Sequence, residues 1–175
     1  MIELDRYLLT QFPIFSKVEF DDGDFDAATA RNDFEWQFWL RHCCAFIRGQ
    51  DLSTNIALYR PCIEIGLAIN QDIEVRLSQA LTQISTDWDW QQAKSLAKKL
   101  IRTDYSLLAG KDNSWHNDVV KMADVITNAY PSTQLAPVLA ILKKKPSEES
   151  QALQTLKTYG NIVLSRYKRA KLDYY

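Results

Sequence analysis

Hydrophobic positions recur along this chain at intervals of three and four residues, the spacing that lines up side chains on one face of an α-helix. No segment alternating with the period of two that a half-buried strand would show competes convincingly with that spacing. Ile2 to Phe12 reads as a short helix closed by Pro13, followed by an irregular stretch from Ile14 to Asp26. Asp26 is placed to cap the next helix, in which Trp36, Trp39, Leu40, Cys43, Phe46 and Ile47 share one broad face while Phe34 and Phe38 fall near the other side. A helix apolar on two sides belongs at the centre of a fold. Gly49 follows Arg48, where a terminating residue with positive φ is wanted.

Asp51 or Ser53 can cap a second long helix running toward Asn70, with Pro61 kinking it or splitting it at Arg60. Asp72 caps the next, whose stripe is Ile73, Leu77, Ala80, Leu81 and Ile84. Thr86-Asp-Trp-Asp89 resembles a capping box with aspartate in the Glu/Gln place. It opens a helix that turns Trp90, Ala93, Ala97, Leu100 and Ile101 inward and Lys94, Lys98, Lys99 and Arg102 outward. After a turn over Gly110 to Ser114, the positions Trp115, Val119, Met122, Ala123, Ile126 and Tyr130 mark a sixth helix ended by Pro131. Pro137 suits the first turn of a seventh, stopped before Pro146 by Lys143 to Lys145. Ser147 caps the last, with Leu153, Leu156, Tyr159, Gly160, Val163 and Tyr167 facing inward.

This pattern predicts an all-α fold: a single domain over 1–175, of seven or eight helices packed as antiparallel hairpins, either an irregular bundle or a short α-solenoid-like stack. Composition agrees. With 5 Gly and 5 Pro among 175 residues, the chain lacks the punctuation of a β-sandwich, and 46% hydrophobic with 25% charged residues argues against disorder.

Charge adds an asymmetry that composition hides. The formal net charge is −1, yet residues 1–90 carry 15 acidic and 7 basic side chains, whereas residues 91–175 carry 7 acidic and 14 basic. A basic partner would prefer the front half. Three cysteines, Cys43, Cys44 and Cys62, form an odd set with two neighbours, so no disulfide framework is expected and a reducing cytoplasm is the simpler setting. Acids at Glu3 and Asp5, and the lack of a long apolar stretch, give no reason to expect a secretory signal or a membrane span.

Phosphate-loop, dinucleotide, zincin and nucleophile-elbow motifs do not occur. His42-Cys43-Cys44 invites a nucleophile or metal reading, but adjacent helical residues point about 100° apart and would converge only on a distorted helix. The cysteines are better read as small buried hydrophobes, and His116 as a surface or capping residue in a first helical turn. Asp22, Asp24, Asp26 and Asp33 follow a calcium-loop spacing but lack its Gly, replaced by Ala27, and its final Glu.

Without catalytic, metal or cofactor signatures, the expected function is a non-enzymatic, cytoplasmic protein-binding domain that takes no cofactor. The candidate partner-binding residues are the acidic Asp21, Asp22, Asp24 and Asp26, together with Asp87, Trp88 and Asp89, where an aromatic anchor lies between acidic guides. Trp88 and Trp90 point about 200° apart on a helix and are hard to bury together. In size, charge and fold class the chain resembles bacterial immunity proteins, and that resemblance implies a basic, nuclease-type toxin as partner. The alternative is a nucleic-acid-associated regulator using Lys143 to Lys145 and Arg166-Tyr-Lys-Arg-Ala-Lys171.

Overall fold

The computed structural model describes residues 7, 10–11, 34–43, 49–133 and 135–174. Among them are eight α-helices and no strand. We number them α1 (Phe34–Phe38), α2 (Ile63–Ala68), α3 (Ile73–Thr86), α4 (Trp90–Ser106), α5 (Ala109–Asp112), α6 (Val119–Ala129), α7 (Ala136–Lys143) and α8 (Glu149–Tyr174). A π-helical turn over Trp39–Cys43 continues α1, and a 3-10 turn spans Leu52–Asn55.

Helix α4 is the hub, packing against α2, α3, α5, α6, α7 and α8. Its first half follows the expected stripe, with Ala93, Ala97, Leu100 and Ile101 fully enclosed. From Thr103 to Ala109 every residue is buried, so the last turn of α4 and the residues that follow it are covered on all sides. Helix α8 lies along α4 and also meets α2, α3 and α7, bringing Leu156, Tyr159, Val163 and Tyr167 into one contiguous core with Leu77, Ile126 and Val138. Enclosing a Leu or Ile side chain of this kind contributes about 1.5–3 kcal/mol.

The junction of α2 with α4 is polar. Asn70, almost completely buried, donates from Nδ2 to the Gly66 carbonyl at 2.8 Å and to Ser106 Oγ at 2.9 Å. Its Oδ1 accepts from Thr103 Oγ1 at 2.7 Å and from Lys99 Nζ at 3.1 Å. Both faces of the amide are thus satisfied, which makes its burial tolerable.

Several boundaries differ from those the sequence predicts. There is no long helix through Pro61: the Asp51 carboxylate accepts from the Ser53 amide at 3.0 Å and caps only the 3-10 turn, and α2 starts after Cys62. A proline lacking an N–H and restricting the residue before it favours this extended entry. The capping box does not form either. Thr86 closes α3, its hydroxyl donating to the Thr82 carbonyl, while Asp89 alone caps α4 by accepting from the Gln91 amide at 2.8 Å. Gly110 to Asp112 belong to the short α5, which ends on Asn113 in the left-handed region at φ 51°. Gly49 has the expected positive φ, 99°. Trp36 is half-buried, the side chain of Trp39 lies outside the described residues, and so does the segment holding the Asp26 cap. Among the described residues no helix is long and apolar enough to cross a membrane.

Candidate functional site

Asp21, Asp22, Asp24 and Asp26 lie outside the described residues. Asp87, Trp88 and Asp89 form the corner between α3 and α4. The Asp87 amide ends α3 by donating to the Gln83 carbonyl at 2.9 Å, leaving its carboxylate exposed. Trp88 is half-buried against the core, and its indole N–H is enclosed without an acceptor among the described residues. Trp90 is held differently. Its Nε1 donates to the Ile141 carbonyl of α7 at 2.9 Å, and the Lys94 ammonium lies 5.1 Å from the ring centroid. The geometry therefore accommodates both rings: Trp90 ties α4 to α7, and Trp88 covers the helix junction beside the two carboxylates.

The His42 region departs from regular helix at the very segment in question, since His42 and Cys43 fall in the π-helical turn. His42 Nε2 accepts from the Tyr59 amide at 3.3 Å, and its ring lies beside Phe38, Trp115 and Tyr59. Burial, with a smaller contribution from Arg41, pushes its pKa down and favours the neutral acceptor. The side chain of Cys43 and all of Cys44 lie outside the described residues. Cys62 is free and only half-buried, in a cleft wall instead of the core interior, and burial pushes its thiol up, away from the nucleophilic thiolate. His116 precedes α6, where Asp118 is the cap, and its own amide donates to Tyr105 Oη at 2.9 Å. Among the described residues no group of three or more His, Cys, Asp or Glu side chains could hold a metal ion.

A second constellation escaped the sequence reading. Asp104 of α4 is fully buried, and its Oδ2 accepts from Tyr159 Oη at 2.9 Å and Arg166 Nη1 at 2.5 Å, both on α8. Arg166 also donates from Nη2 to Thr133 Oγ1 at 2.5 Å and stacks on Tyr130 with its guanidinium carbon 3.6 Å from the ring centroid. Asp104 Oδ1 has no partner among the described residues. Burial pushes the Asp104 carboxyl up, against the opposing pull of Arg166 and the Tyr159 bond; burial and the neighbouring Asp104 push the Tyr159 phenol up. A signal was present in the sequence: Asp104 continues the stripe of Ala97 and Leu100, and Tyr159 and Arg166 are seven residues apart on one face of α8.

Arg166 opens on its outer side into a cleft of about 880 Å³ between the start of α2, α5, the end of α6 and the last turns of α8. Glu64 on its wall has a carboxyl held low by hydrogen bonds from its own amide, then the Cys62 thiol and the Tyr174 hydroxyl. Comparison of the chain with protein-family models, with curated proteins and with solved structures finds no match.

Proposed function

We propose that this chain is a non-enzymatic protein-binding domain that engages a basic protein, in the manner of an immunity protein neutralising a nuclease-type toxin. The observation that supports the reading is the α3–α4 corner, where an indole fixed at a helix junction lies between the exposed Asp87 and the half-buried Asp89. A rigid, half-buried aromatic flanked by carboxylates offers a partner an anchor together with electrostatic guidance. The acidic excess of residues 1–90 extends that guidance over longer range.

The nucleic-acid alternative draws less support. Of the cations in its C-terminal cluster, Arg166 is paired with buried Asp104, Lys168 with Glu74 at 2.6 Å, and Arg169 approaches Asp173 at 3.8 Å. A polyanion would have to compete with the exposed Glu74 and Asp173 for Lys168 and Arg169. A reducing, cytoplasmic setting goes with the proposal, supported by three cysteines and the free thiol of Cys62.

The test is affinity purification of the tagged chain with its partner, identification of that partner by mass spectrometry, and measurement of binding to the wild type and to Asp87→Asn/Asp89→Asn. The double substitution keeps a capping oxygen at position 89, so the fold should persist. The expected partner is a basic protein whose cleavage of nucleic acid is suppressed by the chain and which binds the variant more weakly. A partner released by nuclease digestion of the preparation would overturn the proposal, as would a protein bound equally by both forms.

A further inference from the structure

We propose that the cleft beside Arg166 binds a small organic oxyanion, a carboxylate or phosphate monoester carried on a flat apolar body. The reason lies in how Arg166 is held. Its two terminal nitrogens are committed inward to Asp104 and Thr133, and the Tyr130 ring covers one face of the guanidinium. The plane is therefore fixed before any ligand arrives, and the conformational entropy that a free arginine would lose on binding has already been lost in folding. The side chain keeps 17% of its exposure, and Arg166 lines the cleft.

The cleft walls supply both parts of the recognition. Lys111 on α5 and Arg169, three residues along α8 from Arg166, add two more cations. Two carboxylates, Glu64 and Asp173, also line the cleft, the latter 3.8 Å from Arg169, so the three cations still outnumber the acids. Pro61, Leu107 and Ala170 contribute apolar wall, and the volume of about 880 Å³ suits an organic ligand better than a bare ion.

The intact chain is titrated with phenyl phosphate, benzoate, inorganic phosphate and benzylammonium, by calorimetry and by the Nε–H resonance of Arg166. Saturable one-to-one binding of phenyl phosphate or benzoate is expected, tighter than inorganic phosphate, with the Arg166 resonance shifting, and the tighter of the two anions identifies the head group. Lys111→Gln/Arg169→Gln, both at exposed positions, should weaken it about tenfold with an unchanged thermal melt, since each cation makes a charge-assisted contact. Arg166→Lys, which keeps the charge but loses the planar fork, should weaken it at least as much, and the double variant carries the test if that protein does not fold. No saturation by either aromatic anion, binding unchanged in the double variant, or equal binding of benzylammonium would each overturn the proposal.

Discussion

At Asp104 one carboxylate oxygen receives the Tyr159 hydroxyl and the Arg166 guanidinium, while the other, equally enclosed, receives nothing from the described residues. Desolvation outweighs these partners, so the carboxyl binds its proton more tightly in the folded chain than its ordinary value of 3.8 would give. The sign of the linkage follows. In the window above 3.8 the folded state holds a proton that the unfolded state has released, so this group's contribution is full below that value and is lost as pH rises through the folded pKa. Urea midpoints of the wild type and Asp104→Asn, measured across acidic to neutral pH, should diverge in favour of the amide as pH rises. Parallel curves would show that Arg166 and Tyr159 cancel the cost of burial. Asn70, by contrast, is fully matched, and Asn70→Ala should destabilise by about 2–3 kcal/mol because it strands the Thr103 hydroxyl and the Gly66 carbonyl. An unchanged denaturation midpoint would show that those groups find other partners.

Between elements, two glycines set how closely helices approach, and they differ in what opposes them. A Cβ on Gly66 would stand 2.5 Å from the Ser106 carbonyl oxygen, a backbone atom of α4 that cannot yield without moving the helix. A Cβ on Gly160 would stand 2.7 Å from a methyl of Leu77, the end of a side chain that can turn. Gly66→Ala should therefore destabilise by about 1–3 kcal/mol through overpacking. Gly160→Ala should change stability by less than about 1 kcal/mol, because better helix propensity offsets the repacking. Equal midpoints for the two variants would show that α2 slides freely on α4. The same elements show what the sequence made legible. The stripes of α3, α4, α6 and α8 are readable because burial on one face leaves a repeat of three and four, and α7 is marked by the proline of its first turn and the lysines at its end. The start of α2 is not readable, because a proline is compatible with a kink and with a break, and only packing decides. Thr86 and Asp89 both have capping side chains, and the choice between them depends on where α3 ends. Asp104 is harder to recognise, because an acid on a helix as rich in outward lysines as α4 reads as surface charge, although its stripe position marks it as enclosed.

On the scale of the whole molecule, the acidic and basic halves are not cleanly parted, since Lys168 of the basic half meets Glu74 of the acidic half on the surface. Both side chains are more than half exposed, so the pair contributes at most about 1 kcal/mol. Lys168→Gln/Arg169→Gln/Lys171→Gln should accordingly fold with a thermal melt close to that of the wild type. The proposed function would separate the halves more sharply. If a basic protein docks on the acidic half, Asp21→Asn/Asp22→Asn/Asp24→Asn, at positions outside the described residues, should slow its association, because removing negative charge weakens the long-range steering of encounter. That difference should shrink as salt rises toward about 0.5 M, where the screening length is only a few ångströms. The basic triple variant should associate at the wild-type rate or faster, since removing cations deepens the negative field that steers the partner. Stopped-flow association rates of both variants across a salt series read this directly. A basic triple variant that loses the partner, with an acidic variant that keeps it at every salt concentration, would transfer the binding surface to the C-terminal half and with it the choice of a polyanion as ligand.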